Sequence, residues 1–226
     1  MASLFMVATP IGNLGDITIR ALETLRAAEV IACEDTRHTR KLLSHYEISR
    51  PVVSVRSENE QEGALRLIGH LKEGKDVAYV TDAGTPGVSD PGRRIVEAVR
   101  RESIPVVPIP GPSALTAILS ASSFPGRAVT FDGFISPKAG KRAKRISELL
   151  SREEAFIFYE SPHRVLKILK EVAEKEPERP VLVAREMTKI YEEFVEGTAE
   201  EVYADFAGRK SLKGEFSLLV SGKKKR

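Results

Sequence analysis

The strongest constraint on this chain is an alternation of two periods. Apolar runs of four to six residues, each closed by glycine, proline or a charged cluster, alternate with segments whose apolar residues recur at helical spacing. Residues 4–9 form the first run, followed by Pro10, Gly12, Asn13 and Gly15. Ile17, Ala21, Leu22, Leu25 and Ala28 then line one helical stripe. Residues 30–33 read as the next strand, ending in Glu34, Asp35, Arg37, His38 and Arg40, and Leu42 and Leu43 close a short helix. Residues 51–55 are a weak third strand, and Ala64, Leu65, Ile68 and Leu71 line a helix that stops at Gly74. Residues 77–80 run into a loop over 81–92 with three glycines and two prolines, and Ile95, Val96 and Val99 mark the helix after it. Residues 104–107 are followed by Pro108, Pro110, Gly111 and Pro112, with Ser113 placed to cap a helix carrying Leu115, Ile118 and Leu119. Strand and helix in strict turn predict an α/β domain with a mostly parallel sheet.

A polar stretch of Ser120, Ser122, Ser123, Pro125 and Gly126 marks the expected boundary. The first domain is expected over 1–120, the second over 125–222, and a basic tail over 223–226. In the second half, strands are expected at 129–134, 155–159, 180–184 and, as the closing strand, 215–220; helices are expected at 141–150, 165–173 and 197–206. The chain shows no internal repeat.

Composition excludes several classes. Lys plus Arg exceed Asp plus Glu by only 35 to 32, so net charge alone argues for no nucleic-acid partner. The single cysteine, Cys33, rules out an intrachain disulfide and fits a reducing cytoplasm. The start lacks the basic and long apolar regions of a signal peptide, and no apolar stretch is long enough to span a membrane. The four histidines, at 38, 45, 70 and 163, match no ligand motif, so no metal is expected.

In open α/β sheets, ligands bind beyond the carboxyl ends of the strands. The loops at 10–15, 81–92 and 108–113 have that placement. Glycine lets backbone approach a ligand, and proline fixes the direction of neighbouring peptide groups. Gly12 and Gly15 lack the G-x-G-x-x-G spacing, and no G-K-S/T loop exists, so neither a nicotinamide dehydrogenase nor a P-loop NTPase is expected.

Read in order, the strings around these loops are uncommon. They are Val7-Ala8-Thr9-Pro10-Ile11-Gly12-Asn13-Leu14-Gly15-Asp16, Glu34-Asp35-Thr36-Arg37-His38-Thr39, Asp82-Ala83-Gly84-Thr85-Pro86-Gly87 with Ser89-Asp90-Pro91-Gly92, and Pro110-Gly111-Pro112-Ser113-Ala114. Phe158-Tyr159-Glu160-Ser161-Pro162-His163-Arg164, Arg185-Glu186-Met187-Thr188-Lys189 and Lys213-Gly214-Glu215-Phe216 follow. Together they resemble the tetrapyrrole-methylase-like S-adenosylmethionine methyltransferases, and within them the ribosomal RNA small subunit methyltransferase I branch. The resemblance runs from Leu4 to Val220.

That resemblance implies two α/β domains with the cofactor, S-adenosyl-L-methionine, in the cleft between them, unlike a classical Rossmann methyltransferase. It implies a cytoplasmic homodimer that methylates the ribose 2′-oxygen of a cytidine in the decoding region of 16S rRNA, within the small ribosomal subunit. Cofactor contacts are expected from Pro10, Asp82, Ala83, Gly84, Pro86, Gly87, Pro112, Ser113 and Ala114, with Tyr159, Met187 and Gly214 from the second domain. The opening loop departs from the Gly-x-Gly-Pro-Gly turn of porphyrin-modifying relatives, which favours RNA as substrate.

The hydroxyl must lose a proton while held in line with the methyl group. Glu34, Asp35, Asp82, Glu160 and Glu186, all at strand ends, are the candidate acceptors, with Glu34, Asp35 and Glu160 ahead, and Lys189 is a candidate for steering a phosphate or the hydroxyl. Strand-end carboxylates also cap helices and pair with arginine, so a structural role stays open for each. For RNA, Arg37, Arg40, Lys141, Lys144, Arg145 and Arg164 are the candidate contacts, with Lys138 and Arg142 in the same charge run. Two other readings stay open on the residues: a small-molecule acceptor, and a noncatalytic RNA-binding or ribosome-assembly factor.

Overall fold

A computed structural model describes residues 2–56, 60–89, 92–124 and 126–223. Asp90, Pro91, Pro125 and residues 224–226 of the basic tail therefore lie outside the described residues. The chain divides into two compact units, Met1–Ser113 and Ala114–Arg226. This division falls ahead of the 120–125 stretch expected from composition, because the helix Ala114–Ser120 packs on the second unit's sheet.

In the first unit, strands β1 (Leu4–Val7), β2 (Val30–Cys33), β3 (Val52–Ser54), β4 (Val77–Val80) and β5 (Val106–Ile109) form one sheet. Its order is β3-β2-β4-β1-β5, and every pairing is parallel. Parallel strands need crossovers, and helices α1 (Ile19–Ala27), α2 (Thr36–His45), α3 (Glu60–Lys72) and α4 (Arg93–Arg101) supply them. Burial on both faces explains why β2 and β4 read as unbroken apolar runs. Alternate residues serve opposite layers. Val77 and Tyr79 pack with Leu67 of α3 and Ile95 of α4, while Ala78 and Val80 pack with Leu25 of α1 and Leu43 of α2.

The chain leaves β1 for one face and β4 for the other, and these two strands are neighbours. Their carboxyl ends thus form a topological switch point, where the loops part and leave a crevice.

One buried acid shapes the loop that ends there. Helix α4 begins at Gly92, which has no side chain to cap it, and Glu60 of α3 does so instead. Its Oε1 accepts from the N–H of Gly92 at 3.0 Å and of Arg94 at 3.3 Å. Loss of a cap costs about 1 kcal/mol. Urea unfolding should therefore show Glu60→Ala less stable by about 1–2 kcal/mol, while Glu60→Gln, whose amide oxygen still accepts, stays within about 0.5 kcal/mol of the parent.

The second unit adds α5 (Ala114–Ser120), β6 (Val129–Phe134), α6 (Ala139–Leu150), β7 (Ala155–Glu160), α7 (Val165–Lys175), β8 (Pro180–Arg185), β9 (Glu193–Thr198), α8 (Ala199–Ala207) and β10 (Phe216–Val220). The sheet order is β6-β7-β10-β8-β9, with β6 and β7 parallel and the other pairs antiparallel. The last strand is therefore central. It pairs with both β7 and β8, and all five of its residues are buried. Ile146, Leu149, Ile168, Val172, Val202 and Phe206 cover one face of this sheet from α6, α7 and α8. Helix α8 is set by a complete capping box, in which Thr198 and Glu201 satisfy each other's backbone N–H groups.

Candidate functional site

At the carboxyl edge of the first sheet, three loops are fastened to one another. Thr9, after β1, exchanges two backbone hydrogen bonds with Gly84, at 2.9 and 3.0 Å. The Thr9 hydroxyl also donates to the Thr81 carbonyl at 3.3 Å. Thr85 donates from Oγ1 to the carbonyl of Pro112 at 3.0 Å, which joins the β4 and β5 loops. Between the β1 and β5 loops the backbones nearly touch, since a Cβ on Gly111 would sit 3.0 Å from that of Ala8. Gly84 and Gly87 take φ of +80° and +82°, a region that suits glycine. A Cβ built on Gly87 meets nothing within 4 Å, so this peptide faces open space.

Most of the first-domain residues singled out for the cofactor lie on or beside this ring of backbone, whereas Tyr159, Met187 and Gly214 belong to the second unit. Pro10 and Gly84 are buried, Asp82, Pro86, Pro112, Ser113 and Ala114 are half-buried, and Ala83 and Gly87 are exposed. Glu34 and Asp35 follow β2, next to β4, and the N–H of Asp35 donates to Asp82 Oδ1 at 3.3 Å. Asp35 also caps α2, accepting from the N–H of Arg37 at 2.8 Å and from Arg37 Nη2 at 2.9 Å. The Arg37 side chain and its backbone N–H hold the Asp35 carboxyl well below the usual carboxylate range. Burial, outweighing the Thr39 hydrogen bond, pushes the nearby Cys33 thiol up, so it is a poor nucleophile.

In the second unit, one sheet edge gathers another set. Register places Phe216 opposite both Glu160 and Arg185, so the ends of β7 and β8 meet the start of β10. Tyr159, Glu160, Arg164, Met187, Lys189 and Gly214 cluster around that edge. The Glu160 side chain is only 1% exposed and its Oε2 lies 2.9 Å from Arg164 Nη2. Glu160 Oε1 accepts from the N–H of Ser161 at 2.7 Å, and Arg164 also donates to the carbonyl of Ile135.

The segment after β8 carries a local constraint. Glu186 and Thr188 have φ of +50° and +66°, unusual for such residues, and Met187 between them is buried. Glu186 Oε1 accepts from Lys189 Nζ at 3.0 Å and from the N–H of Glu215 at 2.8 Å. Lys189 Nζ also reaches Glu215 Oε2 at 2.9 Å. Gly214, at φ +98°, leaves room for that carboxylate, since a Cβ there would lie 2.5 Å from Glu186 Cγ.

Burial alone would raise the Glu186 pKa, but the Glu215 N–H and the Lys189 ammonium outweigh it and hold the carboxyl below its ordinary value. For Lys189, burial is likewise outweighed by Glu215 and Glu186, which push the ammonium up. The depressed carboxylate adds stability above about pH 4.3 that is lost as pH falls through its folded value. The raised ammonium adds stability below about pH 10.4 that is lost as pH climbs through its folded value. The thermal midpoint of Lys189→Met should therefore sit a constant amount below the parent between about pH 6 and 9, with the gap narrowing on both sides.

The basic residues of α6 divide sharply. Arg142 is buried and held by Glu171 of α7 at 2.5 Å. Arg145 grips Asp132 of β6 through Nε at 3.0 and 3.1 Å, and Glu148 at 3.2 Å. Asp132 raises the Arg145 pKa further, so this guanidinium is a charged clamp between α6 and β6. Lys138, Lys141 and Lys144 stay exposed, as do Arg37 and Arg40 on α2. Among the described residues, no group of three or more His, Cys, Asp or Glu is placed to hold a metal ion. No described helix is long and apolar enough to cross a membrane.

Sequence reading passed over Thr9, Thr85 and Glu60, which fasten the loops. The available signal was slight: Thr85 is a small hydroxyl residue beside Gly84, a pattern shared by many ordinary turns, and nothing local marks Thr9 or Glu60.

Known proteins resemble this chain in sequence and in fold. The profile of the tetrapyrrole (corrin/porphyrin) methylases matches residues 3–203. A ribosomal RNA small subunit methyltransferase I of Borrelia garinii subsp. bavariensis is 46% identical over 219 residues, covering 96% of this chain and 98% of the relative. Its counterpart from Thermotoga maritima is 44% identical over 223 residues, covering 99% and 100%. Among solved structures, a Thermus thermophilus uroporphyrin-III C-methyltransferase complexed with S-adenosylhomocysteine superposes with a TM-score of 0.65 at 19% identity, covering 99% of this chain and 98% of that one.

Proposed function

The chain belongs to the tetrapyrrole methylase family and is an S-adenosylmethionine-dependent rRNA methyltransferase; from that premise we propose that it methylates the ribose 2′-oxygen of a cytidine in the decoding region of 16S rRNA. The observation that carries the reading is the near full-length match to relatives named as small-subunit rRNA methyltransferases, at 46% and 44% identity. In this reading the protein works in the cytoplasm on the small ribosomal subunit, as a homodimer. Ile190, Tyr191 and Phe194, all exposed, offer apolar surface that a second copy would cover.

The fastened loops suit the cofactor. Their glycines bring peptide groups to a strand-end crevice, and mutual hydrogen bonds fix those groups before a ligand arrives, so little ordering entropy is left to lose. Pro10, Asp82, Ala83, Gly84, Pro86, Gly87, Pro112 and Ser113 would hold it. When bound, S-adenosylmethionine supplies an electrophilic methyl group on a sulfonium. The residues of this chain then have to align the hydroxyl and help remove its proton, and alignment is the larger contribution.

For the second task, the contacts of three candidates count against them. Lys189 is held charged between two carboxylates, so it cannot accept the proton, and its charge is already offset by theirs. Glu160 is turned inward to Arg164 and Ser161, so it positions the strand end. Asp35 is a weak base because Arg37 holds its carboxyl ionised to low pH. Glu34 is the carboxylate we assign to the hydroxyl proton.

Asn caps helices as well as Asp, so Asp35→Asn keeps α2 while removing the charge. It should cost less than about tenfold in kcat, below the roughly 100-fold floor for losing a general base. Glu34→Gln should fall by about 100-fold or more at unchanged melting temperature. The reading as a whole is tested by transfer of radiolabelled methyl from S-adenosylmethionine to small subunits purified without the modification. Label in 16S rRNA is expected; label only in an added tetrapyrrole, or none at all, rejects it.

A further inference from the structure

Strand β6 ends in a device that turns an aromatic ring to solvent. Phe131 pairs with Ile157 and Phe134 with Tyr159, so β6 carries one more residue than β7 over this stretch. Such a bulge bends the strand and re-aims the side chain that follows. Gly133, at φ +63°, makes the turn, and Arg145 pins Asp132 beside it. The result is Phe134 at 60% exposure, two residues after Asp132, whose side chain is held.

A lone exposed phenylalanine is unremarkable on a protein surface. Three observations set this one apart. Its ring is supported rather than loose: Tyr159 meets it edge-on at 5.8 Å, and Phe131 meets Tyr159 in turn at 4.9 Å. The backbone beyond it is held at two points, by Arg164 on the carbonyl of Ile135 and by Arg142 Nη1 on that of Pro137 at 3.3 Å. Exposed cations follow within ten residues, Lys138 before the first turn of α6 and Lys141 and Lys144 along it. Burying a phenylalanine is favourable, and here the fold forgoes part of that gain while fixing the ring's orientation.

We propose that Phe134 is a stacking platform for one unpaired base of the RNA substrate, with Lys138 and Lys141 taking the flanking phosphates. A rigid aromatic face beside positive charge is what single-stranded RNA recognition requires, because every base has a π-face and the backbone is anionic. This rests on the RNA-methyltransferase reading and adds to it a specific contact outside the methyl-transfer residues. Arg142 and Arg145 are not part of the contact surface. They hold the platform in place.

The test is equilibrium binding of the full chain to a mixed-sequence single-stranded oligoribonucleotide, read by fluorescence anisotropy. Stacking on an aromatic side chain is worth about 1–3 kcal/mol per base, so Phe134→Ala should raise Kd about 5- to 150-fold. Phe134→Trp should keep the affinity and Phe134→Leu should lose it, since leucine supplies apolar area without a ring face. Lys138→Glu with Lys141→Glu should weaken binding and flatten its salt dependence. Melting temperature and S-adenosylmethionine affinity should be unchanged throughout.

Wild-type affinity in Phe134→Ala, or full affinity in Phe134→Leu, overturns the proposal. So does a change in association state or cofactor affinity in Phe134→Ala, which would make the ring a subunit contact or a cofactor wall. Failure of the wild-type chain to bind the oligonucleotide overturns it as well. Methyl transfer to small subunits, measured in parallel, then reports separately on the function.

Discussion

Gly214→Ala is expected to lower stability by about 3–5 kcal/mol. At φ +98° a residue with a Cβ is strained by about 1–3 kcal/mol. The added atom would also lie 2.5 Å from Glu186 Cγ and 2.6 Å from Cδ, well inside contact distance. The carboxylate must then leave, breaking its bonds to the Glu215 N–H and to Lys189 Nζ, at about 1 kcal/mol each. Glu186 also fixes the turn that carries the buried Met187. Urea unfolding separates the two causes. Adding Glu186→Ala removes the collision but not the backbone strain, and should return about 1–2 kcal/mol of what Gly214→Ala alone loses. A single variant within about 0.5 kcal/mol of the parent would contradict the packing described here.

Arg164→Ala should cost about 2–3 kcal/mol. Removing one partner of a buried ion pair costs about 3–5 kcal/mol, because the other charge stays desolvated. Glu160 is that charge, with its side chain 1% exposed. Arg164 itself is 24% exposed and Glu160 keeps the Ser161 N–H, which brings the estimate to the lower end or below. Arg164→Ala with Glu160→Gln should recover most of the loss. If Arg164 instead served mainly as an RNA contact, the single variant would melt like the parent and lose affinity for the subunit. Denaturation with and without substrate distinguishes these outcomes.

Part of this organisation was legible in the sequence. The alternation of periods located the strands of the first sheet, and the glycine–proline loops marked the edge where the candidate site lies. The helix expected from residue 197 begins at Ala199, and the Thr198–Glu201 capping box that sets this start was a signal left unused. Strand β9 was missed because Glu193, Glu196 and Gly197 break the apolar pattern. It is the sheet's outer strand, with an exposed face to which polar residues suit well. Strand β10 was expected to close the chain and does, but its central place depends on pairing with β7 and β8, which no local pattern encodes.

Among the basic residues, spacing put Lys141, Lys144 and Arg145 near one face. It did not reveal that Asp132, thirteen positions away, or Glu171, twenty-nine from Arg142, would take the two arginines. Long-range ion pairs are set by tertiary packing, so a charge run read locally overstates the free surface charge. The same holds for Glu60, whose capping of Gly92 spans thirty-two positions.

The central claim is methyl transfer to one ribose oxygen of small-subunit RNA. Its most direct test is nucleoside mass spectrometry of 16S rRNA from subunits lacking the modification, after incubation with the purified chain and S-adenosylmethionine. One new 2′-O-methylcytidine, mapped to a single position in the decoding region and absent without the cofactor, is the predicted result. A base-methylated nucleoside, or unmodified RNA from a chain that binds the cofactor, would contradict it.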